Sequence, residues 1–118
     1  KQCLVGSEMC IRDSNSIEKI DLNGIYSELS KDIQKHEMNL SIFKKTKNII
    51  DLRTYENGVG ETLSCGSASL CVASNFLSKK DDLITVKTFG GEITFKKIKD
   101  AILMKGPTTF IYKGNINE

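Results

Sequence analysis

The sequence predicts an α+β domain in which a mostly antiparallel sheet surrounds one buried helix, and three observations predict it. Two pairs of alternating apolar stretches are each joined by a turn signal, at Thr46-Lys47-Asn48 and at Gly90-Gly91. Between the pairs, residues 67–77 carry Ala68, Leu70, Cys71, Val72, Ala73, Phe76 and Leu77 around most of a helix circumference, which implies burial on several sides rather than one amphipathic stripe. Last, at 118 residues the chain has the size of one domain and can bury a modest core.

In chain order, residues 4–14 (LVGSEMCIRDS) show neither clean helical nor strand periodicity. They resemble the in-frame translation of a sequencing-library adapter, and residues 1–14 are therefore set aside as non-native. On that reading Cys3 and Cys10 carry no biology and native chain upstream of about residue 15 is absent. A signal peptide competes, but no apolar core of sufficient length is present. Residues 17–22 alternate briefly and predict a strand fragment. Asn23 is placed to cap a surface helix over 24–35, in which Ile25, Leu29 and Ile33 recur at helical spacing. Lys31, Asp32, Lys35, His36 and Glu37 form its solvated end.

Residues 39–45 and 47–56 read as two strands around a tight turn. The two-residue period puts Ile50, Leu52, Thr54 and Glu56 on one face of the second, with Arg53, Tyr55 and Asn57 on the other. Glycines 58 and 60 break the strand before the central helix begins. Asp81-Asp82 follow a lysine pair and close the helix region. Residues 83–89 and 92–98 then form a hairpin, in which Ile84 and Val86 pack with Ile93 and Phe95. Strands at 101–105 and 108–113, separated by Gly106-Pro107, complete the pattern.

Composition excludes several function classes. With 17 basic and 15 acidic residues the net charge is +2, too small to favour nucleic acid or an anionic membrane surface. No apolar run reaches membrane-spanning length, and a single proline with scattered glycines argues against a disordered linker. Cys3, Cys10, Cys65 and Cys71 lack the dense spacing of a secreted disulfide scaffold, so a reduced, cytoplasmic protein is expected. No Cys/His cluster has metal-ligand spacing, and no metal is expected. His36 is the only histidine, so a Cys–His nucleophile pair would require it to approach Cys65.

Chemistry concentrates in the run from residue 56 to residue 67, ENGVGETLSCGS, where Cys65 stands at the start of the central helix. The first N–H groups of a helix lack intrahelical acceptors and carry the positive end of the macrodipole, so a thiolate or a substrate carboxylate is favoured there. Gly66 permits close backbone approach and Ser67 adds a hydroxyl. The alternative is that Cys65 is merely a small buried residue. Cys71, six residues further on, reads as core; a redox pair with Cys65 is the competing possibility.

The longer run RTYENGVGETLSCGSASLCVAS, residues 53–74, resembles the second cysteine motif of the diaminopimelate epimerase family, close to R-x-Y-E-R-G-x-G-E-T-x-x-C-G-[ST]-G. The closing MKGPTTFIYKGNI is similar to that family's M-x-G-P strand, and the resemblance extends over residues 22–116. It implies one half of a two-domain fold, each half a barrel-like sheet around a central helix, with the active site in the cleft between halves. Residues 15–107 would be the C-terminal domain, in part, and 108–118 a strand crossing to the N-terminal domain.

The resemblance further implies inversion of a carbon alpha to a carboxylate without pyridoxal phosphate, metal or other cofactor. Two cysteines work from opposite faces, one thiolate removing the α-proton while the opposing thiol donates another. Cys65 matches the second-domain cysteine; the Cys-Gly-Asn-Gly motif that carries its partner does not occur in this sequence. Glu56 matches the acidic residue that contacts the substrate amino group. Gly66 and Ser67 match the donors to the reacting carboxylate. Asn39 matches an asparagine reaching the distal end of the substrate. Asn57 departs from the pattern, since the arginine expected there grips a distal carboxylate with a charged fork that an amide lacks.

The leading expectation is thus the C-terminal part of an epimerase interconverting LL- and meso-diaminopimelate, in lysine and peptidoglycan-precursor biosynthesis. Its parent would be a homodimer with a small amino-acid substrate, and the 118 residues alone would be inactive. Asn57 motivates an alternative, another racemase or epimerase of the same fold acting on a different amino acid. A non-catalytic binding domain, with an unreactive Cys65, is the reading from another class.

Overall fold

A computed structural model describes residues 2–5, 8–12, 17–35 and 37–117, with side chains over 17–29 and 37–117. Strands β1 (Gln2–Val5) and β2 (Glu8–Arg12) precede a 3-10 turn (Ile17–Lys19) and helix α1 (Leu22–Lys35). Strands β3 (Asn39–Thr46), β4 (Ile49–Glu56) and β5 (Gly60–Thr62) lead to helix α2 (Gly66–Ser74). Strands β6 (Leu83–Thr88), β7 (Gly91–Ile98) and β8 (Ala101–Lys105) follow. The sheet runs β1-β2-β3-β4-β6-β7-β8, with β5 attached to β4. The α+β class therefore stands. Five of the seven pairings are antiparallel; β2–β3 and β4–β6 are parallel. Among the described residues β1 does not pair with β8, so the barrel-like expectation resolves into an open sheet.

Both faces of the sheet's centre are covered. On one side Leu40 and Ile42 of β3 pack with Ile17, Leu22, Tyr26 and Met38, and Tyr55 of β4 joins them. On the other, Phe43, Ile50, Leu52, Ile84, Val86 and Phe95 enclose Ala68, Cys71, Val72 and Ala73 of α2. Each such aliphatic or aromatic side chain contributes about 1.5–3 kcal/mol by leaving water. Helix α2 keeps only Ser67, Leu70 and Ser74, on one stripe, and Gly66 in contact with solvent, in keeping with its apolar circumference. The registers Ile84↔Phe95 and Val86↔Ile93 bring together the residues expected to pack across the second hairpin.

Strand β4 organises the site by sharing one edge between two partners. Its opposite edge is occupied by β3 from Leu40↔Tyr55 to Thr46↔Ile49, through the two-residue turn Lys47-Asn48. On the shared edge, β6 pairs with Ile49, Ile50 and Asp51, while β5 pairs with Thr54, Tyr55 and Glu56. Arg53 lies at the junction. Its Nε and one terminal nitrogen donate to both carboxylate oxygens of Glu61, at 2.6 and 2.9 Å, and its other terminal nitrogen donates to the carbonyls of Ile17 and Ile20, at 2.7 and 2.8 Å. One planar guanidinium thereby joins β4, β5 and the 3-10 turn.

Several expectations are corrected. Residues 17–22 form no strand, because the Ile17 and Ile20 carbonyls accept from Arg53 while Ile17 and Leu22 enter the α1 core. The cap of α1 is Asp21 rather than Asn23: its Oδ1 accepts from the Gly24 N–H at 3.0 Å, three residues on. Strand β5 was not anticipated, three residues being too short to show a period. Helix α2 stops at Ser74 instead of 77 because Ser74 Oγ and Asn75 Nδ2 both donate to the Cys71 carbonyl, at 2.8 and 2.9 Å. Residues 108–113 are exposed and form no strand. Apolar alternation signals strand propensity; a strand also requires pairing, and these residues pair with none of the described strands. Conversely, the aperiodic stretch at 4–14 contributes to two paired strands, since an open sheet edge offers backbone donors and acceptors to any extended segment. His36 lies outside the described residues.

Candidate functional site

The predicted residues form two groups joined by the β4–β5 hairpin. In the first, Asn39 opens β3 beside the end of β4, and its Oδ1 accepts from the Asn57 N–H at 2.9 Å. The Asn57 side chain does not extend from the sheet: its Oδ1 accepts from the Tyr26 hydroxyl of α1 at 2.9 Å. Tyr26 in turn stacks on Tyr55, ring centroids 4.0 Å apart. Glu56, half-buried, is the last residue of β4, where its carbonyl accepts from the Val59 N–H at 3.1 Å and its register partner is Gly60. The turn between them needs Gly58 and Gly60, at φ +78° and +108°, a region that L side chains rarely enter.

The second group is the start of α2. Cys65 is the N-cap residue, with φ −133° and ψ 114°, and is 7% exposed. Its carbonyl accepts from the Ser69 N–H at 3.0 Å, the first bond of the helix, and from Ser69 Oγ at 2.8 Å. Its Sγ lies 3.4 Å from Ser67 Oγ. Gly66 and Ser67 occupy the first turn, where N–H groups lack intrahelical acceptors, and both are exposed. A thiol, a hydroxyl and a helix start thus converge, an arrangement suited to proton transfer beside an anion. Cys65 and Cys71 are both buried, and Cys71 belongs to the α2 core as expected.

Three cavities lie near these elements, and none is lined by Cys65, Glu56 or Asn39. One of about 280 Å³ adjoins the motif through Ser64, with Gly90, Gly91, Ile93, Met104 and Pro107 among its walls. Another, of about 340 Å³, is a charged groove beside Arg53, Lys44, Asp51 and Lys87. A third, of about 720 Å³, lies over β6–β7 beside Leu83, Thr94 and Lys105. Among the described residues no cluster of His, Cys, Asp and Glu has the grouping a metal ion requires. No helix among them is long and apolar enough to cross a membrane.

The sequence does not show Tyr26 or Gly90 as neighbours of the motif, or Arg53 as the partner of Glu61. Glu61 was visible as part of it, but its link to Arg53 depends on the β4–β5 pairing. Gly90 read only as a turn residue, yet its N–H donates to the Leu63 carbonyl at 2.8 Å.

No family model matches the sequence. The chain is 32% identical over 108 residues to a diaminopimelate epimerase of Methanocella arvoryzae, which covers 87% of the chain and 39% of that protein. It is 44% identical over 72 residues to the Albidiferax ferrireducens enzyme of the same name, covering 58% of the chain and 25% of that protein. An O-ureido-serine racemase of Streptomyces lavendulae is 37% identical over 75 residues, covering 60% and 27% respectively. The chain spans about two fifths of the length of the M. arvoryzae relative. Among solved structures, a phenazine biosynthesis PhzF-family protein of Enterococcus faecalis shares the fold, with a TM-score of 0.54 at 13% identity over 80% of this chain and 35% of that one.

Proposed function

We propose, from the premise that this chain belongs to the diaminopimelate epimerase family, that it supplies one face of an active site that inverts an amino-acid α-carbon without a cofactor. The observation that carries the proposal is Cys65 at the N-cap of α2 with Ser67 Oγ 3.4 Å from its sulfur. In the reaction, one thiolate takes the α-proton and leaves a carbanion conjugated with the carboxylate. The opposing thiol protonates the other face, so no net proton or electron is consumed. Cys65 acts on one face. The N–H groups of Gly66 and Ser67 hold the reacting carboxylate at the helix start, and Glu56 holds the amino group. Asn39 lies toward the distal end of the substrate. The second cysteine comes from a domain that residues 108–118 cross to join, so the 118 residues alone do not epimerise.

Diaminopimelate is the leading substrate, on the relatives' names. A second reading, an amino acid with an uncharged distal end, is favoured by Asn57, whose side chain brings no charge and is engaged by Tyr26. The name of the racemase relative, acting on O-ureido-serine, accords with that reading. Solvent deuterium incorporation at the α-carbon, measured on a parent polypeptide containing these residues, tests both with a panel of diaminopimelate isomers and neutral amino acids. Cys65→Ser is expected to lower the rate by about 10²–10⁴-fold. Full activity in that variant, or inversion by the 118-residue chain alone, would refute the proposal. Turnover confined to diaminopimelate would eliminate the second reading.

A further inference from the structure

We infer that Gly90, in the β6–β7 turn, is a positioning residue for Cys65. The inference rests on the acid–base reading of Cys65, and its geometry is independent of that reading. After Lys87, β6 no longer pairs with β4, whose remaining edge is taken by β5. The chain leaving β5 meets the turn leaving β6 at this junction. Here the Gly90 N–H donates to the Leu63 carbonyl at 2.8 Å, two residues before Cys65. The contact is also steric. A Cβ added at Gly90 would lie 3.1 Å from the Leu63 carbonyl oxygen, 3.3 Å from its carbon and 3.2 Å from Ser64 Cβ. Two of those three atoms are backbone, so the loop itself would have to shift.

The neighbouring glycine supplies the contrast. Gly91 has φ +138° with no atom within 4 Å of an added Cβ, so it is required by the turn's conformation and not by the loop. Gly90 lies outside that left-handed region, and alanine there meets only the close approach of residues 63 and 64. The Arg53–Glu61 fork secures the same loop from the β5 side. Between the two tethers, Leu63 and Ser64 fix the direction from which the chain enters α2, and with it the direction of the Cys65 thiol relative to the first-turn N–H groups. Displacing the carbonyl of Leu63 swings the N-cap residue away from the helix axis.

Peptide-resolved alkylation of Cys65 by iodoacetamide across a pH series, in the unaltered 118-residue chain, Gly90→Ala and Gly91→Ala, tests the inference. Amide exchange over residues 63–67 is followed in parallel. Gly90→Ala is expected to slow Cys65 alkylation at neutral pH by about tenfold and to speed exchange at 63–67. Gly91→Ala is expected to lower overall stability while leaving the Cys65 profile in place. Superimposable Cys65 profiles and exchange for Gly90→Ala and the unaltered chain would overturn the inference, as would equal changes in both variants. A Cys65 that resists alkylation in the unaltered chain, with faster exchange in Gly90→Ala alone, would overturn the acid–base reading and leave the tether standing. If Gly90→Ala does not fold, the Gly90 amide of the unaltered chain decides. Protection supports the tether, and free exchange refutes it.

Discussion

Asp82 shows how one half-buried residue can hold a chain reversal by charge and geometry together. Its Oδ2 accepts from the backbone N–H groups of Ser78 and Lys79, at 3.0 and 2.8 Å, and lies 3.5 Å from Ser78 Oγ. The Lys79 backbone bond, followed by that from Ser78, holds the carboxyl below its ordinary value. A carboxylate whose folded value is depressed contributes stability above its unfolded pKa, about 3.9, and loses it as pH falls through the folded value. Asp82→Ala is therefore expected to unfold at lower urea than the parent at pH 7, with the gap closing as the solution is taken below pH about 3.9. A gap that persists unchanged at low pH would show that the loss comes from packing. At the same scale, the chemical types in the motif were legible from sequence while their neighbours were not. Asn57 could be read as a missing cation; that its amide oxygen receives the hydroxyl of Tyr26, 31 residues away, required the docking of α1 on β4.

At the scale of elements, both hairpins and the buried helix could be read because each writes its own period into the sequence. Lys47-Asn48 turns between β3 and β4 almost where expected, even though Lys47 takes φ +55°. What could not be read was set by partners remote in sequence. The three residues of β5 are a strand only because β6 leaves part of the β4 edge open. The motif hairpin is then secured by Arg53 and Glu61, whose side chains are 10% and 32% exposed. Glu61 raises the Arg53 guanidinium above its ordinary value, chiefly through the hydrogen-bonded fork. Glu61→Ala leaves two donors of that cation without acceptors and is expected to reduce stability by about 1.5–3 kcal/mol in urea unfolding. A loss below about 0.5 kcal/mol would place the fork among ordinary surface pairs.

Across the whole molecule, the coverage of the sheet is uneven. Its centre is enclosed by α1 and α2, but the residues after β8 are not. Phe110, Ile111, Tyr112 and Ile116 are 82%, 85%, 82% and 95% exposed, and Leu103 and Met104 of β8 are each 54% exposed. So much contiguous apolar surface next to a strand edge favours association. The 118-residue chain is expected to self-associate with rising concentration in sedimentation velocity, and Ile111→Lys combined with Phe110→Ser to reduce that association. A chain that stays monomeric at high concentration, with no change in the double variant, would remove this expectation. The whole-molecule shape was the least legible level: apolar strand content indicated a sheet around a helix, whereas closure depends on how β1 and β8 meet.

The stacked Tyr26–Tyr55 pair has an optical consequence. The chain has no tryptophan and three tyrosines, of which Tyr112 is 82% exposed. Two rings with centroids 4.0 Å apart and planes inclined by 24° are coupled chromophores in a fixed chiral setting, while an exposed ring contributes little ellipticity. The near-ultraviolet circular dichroism of this chain therefore reports the seating of α1 on β4 and, through the Tyr26 hydroxyl, the placement of Asn57. It gives a label-free signal for one end of the proposed site, separate from the thiol chemistry that reports the other.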